Sequence, residues 1–351
     1  MTHDLTRRSL VKGVGSLALA TPFLSLMACD SGDRGRGLSQ LSGRTMGTTY
    51  QIKITDKPAG VDVNRLTADL ADILEAINDQ MSTYRPGSEL SHFNAGPARS
   101  EVRVSSDTAT VAEAALRVAA LTGGAFDPTV GPVVDLWGFG SGADGQQVPS
   151  KSLIEDASAK IGFNKVGALS APPRLTKRNE AVQLDLSGIA KGFAVDKIAE
   201  HLEQIGIGHY LVEIGGELRG RGWSPRGGGW RVGIEHPSGV PSVAQRVVHL
   251  DRHGLATSGD YRLFFEEEGR YYSHIIDPRT ARPVEHGLAS VTVIATTTML
   301  ADGLSTALMV MGLEAGMELA EREGIAAFFI ARNGRSFVET SSTAFMPYFL
   351  A

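Results

Sequence analysis

Apolar residues recur at helical spacing in three stretches, at 64–78, 106–121 and 187–206. A repeat of three to four residues places such side chains on one face, so each stretch predicts an amphipathic helix with one buried side. The glycine pair at 123–124 follows the second stretch, in a position typical of a helix C-terminus. The apolar face of the third stretch comprises Ile189, Phe193, Ile198, Leu202 and Ile205.

Short stretches with the alternation typical of strands surround these helices. A last apolar helix, which begins near Ala301, is followed by two more strand candidates. Runs of strands separated by helices favour an α+β fold, with mixed or antiparallel sheets and helices packed on them. Because no linker interrupts residues 43–351, this region is predicted to be a single composite domain. The strand candidates are TTYQIKI, HYLVEIG, WRVGIEH, RVVHLD, YRLFFEE, YYSHIID, SVTVIATT, AAFFIAR and SFVET.

The composition is that of a globular protein with a substantial core, since 42% of the 351 residues are hydrophobic and 21% are charged. The formal net charge is −5, and the sequence contains no basic stripe with interleaved aromatic residues. Nucleic acid is therefore not an expected partner. The 41 glycines indicate many tight turns, or places where the backbone approaches a ligand.

Residues 1–28 have the layout of an export signal. Arg7 and Arg8 precede an apolar run from Val14 to Ala28 that contains no acidic residue, and the arginine pair indicates the twin-arginine route. The run is too short to favour a permanent transmembrane helix, which needs about 20 apolar residues. The alternative is a short apolar helix that belongs to the mature protein.

Cys29 is the single cysteine of the chain and lies where the apolar run ends, in LMAC. The stretch resembles a bacterial lipobox, in which the cysteine becomes the lipidated first residue; elsewhere a lone cysteine is most often an inert buried thiol. Residues 29–42 are polar and rich in glycine, which predicts a flexible tether. With Asp30 after the cysteine, the resemblance implies lipid anchoring at the periplasmic side of the inner membrane.

The stretch ADGLSTALMVMG places an acid and a hydroxyl in an apolar helix. Asp302 and Thr306 are four residues apart, so a helix stacks them on one face. Carboxylate and hydroxyl oxygens are hard ligands, and Mg²⁺ accepts one or two of them while water and substrate phosphates fill its other positions. The alternative is that Asp302 caps the helix while Thr306 bonds back to a backbone carbonyl.

Three glycine-containing stretches allow more than one interpretation. In LDLSGIAKGFAVD, a helix N-terminus with Asp185 before it and Lys191 in its first turn suits a phosphate; alternatively, Ser187 caps the helix and Lys191 is solvated. In VEIGGELRGRG, the glycine pair at 215–216 forms a turn or admits a ligand. GSGADG at 140–145 has G-x-G-x-x-G spacing, but its flanks fit neither strand nor helix, so it predicts a surface loop.

His274 lies in SHIIDPRTARPV, in an apolar strand that is expected to break at Asp277-Pro278. A histidine at such a position is either a structural hydrogen-bonding residue or, near neutral pH, a general base. Tyr84, in MSTYRPGSELSHFNA, is expected in an exposed loop after a helix. Its ring is free there to stack on a flat ligand.

Eight stretches in a fixed order together resemble the ApbE family, the FAD:protein FMN transferases. The resemblance runs from about Arg44 to the C-terminus and implies a single catalytic domain of that family's α+β fold. The stretches are MGTTY, MSTYRPGSELSHFN, GAFDPTVGPVVDLWGFG, LDLSGIAKGFAVD, YLVEIGGELRGRG, LATSGDY, SHIIDPRTARPV and ADGLSTALMVMG.

The resemblance implies a role for each matching position. The family's metal is Mg²⁺, which here falls on Asp302, Thr306 and the backbone carbonyl of Gly188, where relatives often have alanine. His274 is the family's candidate catalytic base. Ala-Arg at 281–282 replaces the more common Thr-Gly, so that turn is expected to differ slightly. Contacts with FAD are expected from Met46, Tyr84, Ala125, Phe126, Asp127, Asp185, Lys191 and Ile275.

The implied reaction is Mg²⁺-dependent transfer of FMN from FAD to a threonine hydroxyl of another protein, with AMP leaving. The implied acceptors are subunits of ion-pumping electron-transfer complexes on the outer side of the membrane, where an exported, tethered enzyme would meet them. Two alternatives remain open: an FAD pyrophosphatase that releases FMN and AMP, and a flavin-binding lipoprotein without catalytic activity.

Overall fold

The predicted export signal, Cys29 and most of the predicted tether lie outside the described residues. The predicted boundary between tether and domain, at 42/43, is wrong, because a strand begins at Leu38 and pairs with its neighbour along its whole length. Within the described residues, no helix combines the length and the apolar character that crossing a membrane requires. The computed structural model describes residues 37–99, 101–237, 244–334 and 336–350.

Helices and strands are interspersed along the chain. The strands are β1 (Leu38–Thr45), β2 (Thr48–Thr55), β3 (Glu101–Arg103), β4 (Val166–Ser170), β5 (Pro173–Lys177), β6 (Tyr210–Ile214), β7 (Glu217–Arg221), β8 (Trp230–Glu235), β9 (Ala244–Leu250), β10 (Gly254–Gly259), β11 (Phe264–Glu267), β12 (Arg270–Ser273), β13 (Ile276–Asp277), β14 (Arg282–Pro283), β15 (Leu288–Ala295), β16 (Ala326–Asn333) and β17 (Ser336–Ser341). The helices are α1 (Val63–Met81), α2 (Glu89–Ala95), α3 (Ser106–Leu121), α4 (Gly131–Leu136), α5 (Lys151–Ser158), α6 (Ser187–Gln204), α7 (Thr298–Met311) and α8 (Leu313–Glu323), with 3-10 turns at Phe163–Lys165 and Thr343–Tyr348.

Eight of the described strands form one antiparallel sheet in the order β1-β2-β6-β7-β10-β15-β16-β17. Successive side chains of a strand alternate between faces, so in β6 Tyr210 and Val212 enter one core while Leu211 enters another. The first core lies under helices α1, α3, α6, α7 and α8. The second lies under the β8–β9 hairpin and the C-terminal helical turn, which contribute Trp230 and Phe345. The sheet is therefore covered on both faces.

Helices α6 and α7 pack against each other, and this contact fixes the polar residues of the two helices relative to one another. Gly192 is the point of close approach, because a Cβ there would overlap the carbonyl oxygen of Thr298. The side chain of Thr297 caps α7. The carboxylate of Asp196 accepts the amides of Thr298 at 3.0 Å and Met299 at 2.9 Å. The start of α7 is thus fixed relative to α6.

The predicted α+β class and the three amphipathic helices are confirmed, the helices as α1, α3 and α6. The strand candidates contain strands, with one interruption. YYSHIID is not a continuous strand, because β12 ends at Ser273 and β13 begins at Ile276, which leaves His274 between them. The stretch at 140–145 is a loop, as predicted.

Candidate active site

Asp302 lies within α7 and faces α6. It is 3% exposed, and its Oδ2 accepts the backbone N–H of Gly192 at 2.9 Å. Lys191 Nζ lies 3.7 Å from the same oxygen. Asp302 is not the helix cap, because α7 begins at Thr298 and is capped by other residues. The capping interpretation is therefore excluded.

Gly188 and Thr306 come together beside Asp302. A Cβ built on Gly188 would lie 3.6 Å from Thr306 Oγ1, so the first turn of α6 faces the Thr306 hydroxyl. In a regular helix the amide of Gly192 bonds the carbonyl of Gly188, and here that amide donates to Asp302. Because a backbone carbonyl has two lone pairs, the Gly188 oxygen can accept a cation.

Ser258, on β10, and Ser305 complete a chain of hydroxyls next to Thr306. Ser305 Oγ donates to the carbonyl oxygen of Asp302 at 3.0 Å, so the back-bond expected of Thr306 is made by its neighbour. Ser258 Oγ lies 2.9 Å from Ser305 Oγ and 3.3 Å from Thr306 Oγ1. Because the Ser305 proton is used, Ser258 donates to Ser305 and accepts from Thr306, which leaves the Thr306 lone pairs open to a cation.

Lys191 lies between two acidic side chains. Its Nζ is 3.2 Å from Glu217 Oε1, closer than to Asp302. Desolvation opposes the charge on Lys191, but the two carboxylates raise its pKa above the ordinary value. Burial raises the pKa of Asp302 and of Glu217, and the positive charge of Lys191 opposes both shifts. The interpretation of Lys191 as a solvated residue is wrong.

Asp185 precedes α6 and organises its start. Its Oδ1 accepts the amide of Ser187 at 2.8 Å, while Ser187 itself begins the helix and makes no cap, so the capping role predicted for Ser187 is wrong. The amide of Asp185 donates to the carbonyl oxygen of Pro128 at 2.7 Å. This bond joins the AFDPT and LDLSG stretches, which are far apart in sequence.

Tyr84 is exposed after α1, as predicted. Partial burial, and then the negative charges of Asp185 and Asp135, raise the pKa of its hydroxyl. Thr83, Asp135 and Asp185 line a cleft of about 260 Å³. Asp185 and Asp135 therefore line this cleft, and Tyr84, which follows the lining residue Thr83, lies close enough to both for their charges to affect it.

Residues 125–127 lie on the other side of Gly188. Phe126 is buried, and its Cε2 would lie 3.1 Å from a Cβ on Gly188. The carboxylate of Asp127 is fully engaged by the fold, since it accepts bonds from the amide and hydroxyl of Thr129 and from the amide of Phe163. The structure thus gives the Asp127 side chain a structural role. Ala125 is buried beside it.

His274 is half-buried between β12 and β13. The carbonyl oxygen of Leu263 lies 3.0 Å from His274 Nδ1. Because a carbonyl only accepts, Nδ1 carries the proton and Nε2 is the free acceptor. Burial lowers the pKa of His274, and the charge of Lys191 acts in the same direction, against the Leu263 hydrogen bond and Asp260. The ring is therefore neutral near pH 7.

Met46 and Ile275 occupy backbone positions near the site. Met46 has a φ of 48° in the turn between β1 and β2. Two residues later, Thr48 lies against Gly215, whose added Cβ would be 2.9 Å from Thr48 Cγ2. Gly215 and Gly216 both have positive φ and form the tight turn between β6 and β7, so the turn interpretation holds. Ile275 is buried and follows His274.

The sequence prediction missed Glu217 and Ser258, although both lie in stretches that it singled out. In VEIGGELRG the glycine pair was considered and the following acid was not. In LATSGDY no residue was given a role. The available signal was an acid at the start of a strand directly after a tight turn, where a side chain is held firmly.

The oxygen donors at this site fit a hard divalent cation. One carboxylate, one hydroxyl and one carbonyl match the few protein ligands that Mg²⁺ takes. Among the described residues, no three His, Cys, Asp or Glu side chains cluster as a metal site. The three donors are those of Gly188, Asp302 and Thr306.

Comparison with known proteins shows sequence similarity over most of the chain. The ApbE family profile matches residues 46–329. The FAD:protein FMN transferase of Haemophilus influenzae is 41% identical over 343 residues, 96% of this chain and 97% of that protein. That of Vibrio cholerae serotype O1 is 44% identical over 309 residues, 88% of this chain and 92% of that protein.

Solved structures of flavin transferases have the same fold as this chain. The flavin transferase ApbE from Vibrio cholerae superimposes with a TM-score of 0.83 at 43% identity, over 90% of this chain and 100% of that one. The apo crystal structure of the Pseudomonas stutzeri flavinyl transferase ApbE gives 0.82 at 44% identity, over 90% and 98%. Sequence and fold agree over nearly the whole domain, and the chain therefore belongs to the ApbE family.

Proposed function

We propose that the protein is an FAD:protein FMN transferase that moves FMN from FAD to a threonine hydroxyl of an acceptor protein and releases AMP. The names of its relatives support FAD as the substrate and a protein as the acceptor. The observation that carries the proposal is the convergence of Gly188, Asp302 and Thr306 next to Lys191, a set suited to a diphosphate and its cation.

In this proposal, Gly188, Asp302 and Thr306 hold Mg²⁺. When bound, the ion offsets the negative charge that builds on the diphosphate during transfer. Lys191 contributes a fixed positive charge beside it, because its two acidic partners keep it protonated. Phosphoryl-type transfer depends mainly on such positioning and charge neutralisation.

His274 is the proposed base. The threonine oxygen attacks the phosphorus of the FMN half of FAD, the bond from that phosphorus to the bridging oxygen breaks, and AMP leaves with the electron pair. Nε2 of His274 takes the threonine proton, since Nδ1 is committed to the Leu263 carbonyl. Asp185 lines, and Tyr84 lies next to, the cleft that would receive the rest of the dinucleotide.

Water in place of threonine would make the same site an FAD pyrophosphatase. Purified protein with FAD and Mg²⁺ is to be compared with and without an acceptor subunit. The proposal predicts covalent flavin on the acceptor and slow release of free FMN in its absence. Rapid FMN release without acceptor would favour the hydrolase, and binding of FAD without either product would favour a carrier.

We further propose that the enzyme is exported and lipid-anchored at Cys29 on the periplasmic side of the inner membrane. The arginine pair, the apolar run and LMAC support this location. Acceptors there would be subunits of ion-pumping redox complexes or similar exported flavoproteins. A tethered enzyme would meet such subunits at the membrane surface.

A further inference from the structure

Glu217 is a buried carboxylate that the proposed reaction does not use. It is 5% exposed and is the first residue of β7, directly after the tight turn at 215–216. Its Oε1 lies 3.2 Å from Lys191 Nζ, while its Oε2 is buried and has no hydrogen-bond partner. Burying an acid with an unmet acceptor costs free energy, so this side chain calls for an explanation.

The turn before β7 fixes where Glu217 lies. Gly215 brings the backbone against Thr48, and a Cβ on Gly215 would lie 3.3 Å from Glu217 Oε2. The carboxylate therefore lies against the turn between β6 and β7, with its other oxygen next to Lys191. A side chain held in this way is a rigid partner for a flexible one.

Lys191 stands between Glu217 at 3.2 Å and Asp302 at 3.7 Å. The lysine stem has four flexible carbons and ends in a compact charge. Without Glu217, this charge would close on the remaining carboxylate, because an opposite charge in a partly buried site attracts strongly. An ammonium in direct contact with Asp302 would offset the charge that draws a cation to it.

We propose that Glu217 is a positioning residue that holds Lys191 away from Asp302 and so keeps the Asp302 carboxylate available to a divalent cation. This inference rests on the metal site of the proposed function. Glu217 acts through Lys191 and need not touch either the cation or the flavin. Replacing it with an apolar residue of similar size is compatible with folding, because Lys191 keeps Asp302 as a counter-charge and is not left as an unpaired buried charge.

Cation binding tests this role without reference to turnover. Mn²⁺ takes the same oxygen ligands as Mg²⁺, and its unbound fraction can be measured by electron paramagnetic resonance in purified protein without FAD. We expect Glu217→Leu to weaken Mn²⁺ binding about tenfold. In this variant the Lys191 ammonium would contact Asp302 and offset the negative charge that attracts the cation in a partly buried site. Glu203→Leu is the matched control, because Glu203 lies about 18 Å along α6 from Lys191 and pairs with Arg221 instead. Its Mn²⁺ affinity should be unchanged.

A second variant separates positioning from a general structural effect. If Glu217 acts only by restraining Lys191, removing the amine as well should restore cation binding. The double variant Lys191→Met/Glu217→Leu is therefore expected to bind Mn²⁺ within about threefold of the wild type, because it no longer has the Lys191 ammonium that would compete with the cation for Asp302. Circular dichroism checks that both variants are folded.

Three results would overturn the inference, and they are distinguishable. Wild-type affinity in Glu217→Leu would show that Lys191 needs no restraint. Weak binding that persists in the double variant would show that Lys191 is not the intermediary. If the wild type and Asp302→Ala bind Mn²⁺ equally, the proposed metal site itself is wrong. If Asp302→Ala loses Mn²⁺ binding while Glu217→Leu keeps it, the metal site stands and only the role of Glu217 fails.

Discussion

At the scale of single residues, one carbonyl oxygen decides which nitrogen of His274 can act as a base. Leu263 fixes the proton on Nδ1, and burial keeps the ring neutral. The sequence left a structural role and a catalytic role open, because it showed neither the carbonyl nor the break in the strand. The hydrogen bond serves both roles, since it anchors the loop and leaves Nε2 as the acceptor.

Removing the imidazole should slow transfer without loss of FAD. For His274→Ala we expect the rate of flavin transfer to fall by about 10²- to 10⁴-fold, the usual contribution of a general base. FAD affinity, measured by flavin fluorescence titration, should stay within a small factor of the wild type. Unchanged turnover would return His274 to a structural role.

The pH dependence of transfer should report the same group. The neutral imidazole accepts the proton, and burial lowers the pKa of His274. Transfer by the wild type should therefore be constant from pH 7 to 8 and decline only as the pH drops through a pKa below about 6.5, the ordinary value. This acidic limb should be absent from the profile of His274→Ala. An identical limb in the variant would assign the titration to another group.

At the scale of helices and strands, the sequence predicted best where a strong apolar period exists. The helices α1, α3 and α6 have such a period, and their ends were placed within a few residues. Residues 38–42 of β1 were assigned to the tether because the sequence of this edge strand, LSQLSGRT, is mostly polar and shows no alternation, although its residues alternate between exposed and half-buried in the sheet. The start of α7 was placed three residues late because the carboxylate that accepts its first amides, Asp196, comes from a distant part of the chain.

The contact between α6 and α7 gives a test at this scale. Gly192→Ala would place a Cβ against the carbonyl oxygen of Thr298, so the helices must separate. We expect a loss of about 1–3 kcal/mol in the free energy of unfolding, typical of overpacking, together with weaker cation binding because Gly192 also donates to Asp302. Urea denaturation measures the first effect.

Gly208→Ala is the control for that substitution. An added Cβ at Gly208 meets no atom within 4 Å, and its unfolding free energy should change by no more than about 0.5 kcal/mol. If Gly192→Ala were equally well tolerated, the close packing of the two helices would not be what fixes the site.

At the scale of the whole molecule, the family resemblance predicted the overall fold better than any single motif did, and it also supplied the proposed metal ligands. The spacing of Asp302 and Thr306 alone favoured helix capping and metal ligation equally, and only the set of ordered stretches favoured metal ligation. Glu217 and Ser258 stayed hidden because their meaning depends on contacts between strands and helices distant in sequence. Partners of this kind are set by tertiary packing, and the local signal at Glu217, an acid directly after a tight turn, does not show which residue it contacts.

The proposed membrane attachment concerns the whole chain and can be tested by one substitution. Lipidation requires the Cys29 thiol, so Cys29→Ser should move the protein from the membrane fraction to the soluble fraction of the periplasm. Immunoblotting of fractionated cells measures this, with the wild type as reference. Equal retention of both in the membrane would mean that another segment anchors the protein.

The central claim is covalent flavin transfer to another protein, and mass spectrometry of a co-expressed acceptor subunit tests it most directly. The account predicts FMN attached to a threonine of the acceptor when the wild type is present. It predicts no attachment with Asp302→Ala, a variant expected to stay folded. An acceptor without flavin in the presence of the wild type, or one flavinylated undiminished by Asp302→Ala, would contradict the account.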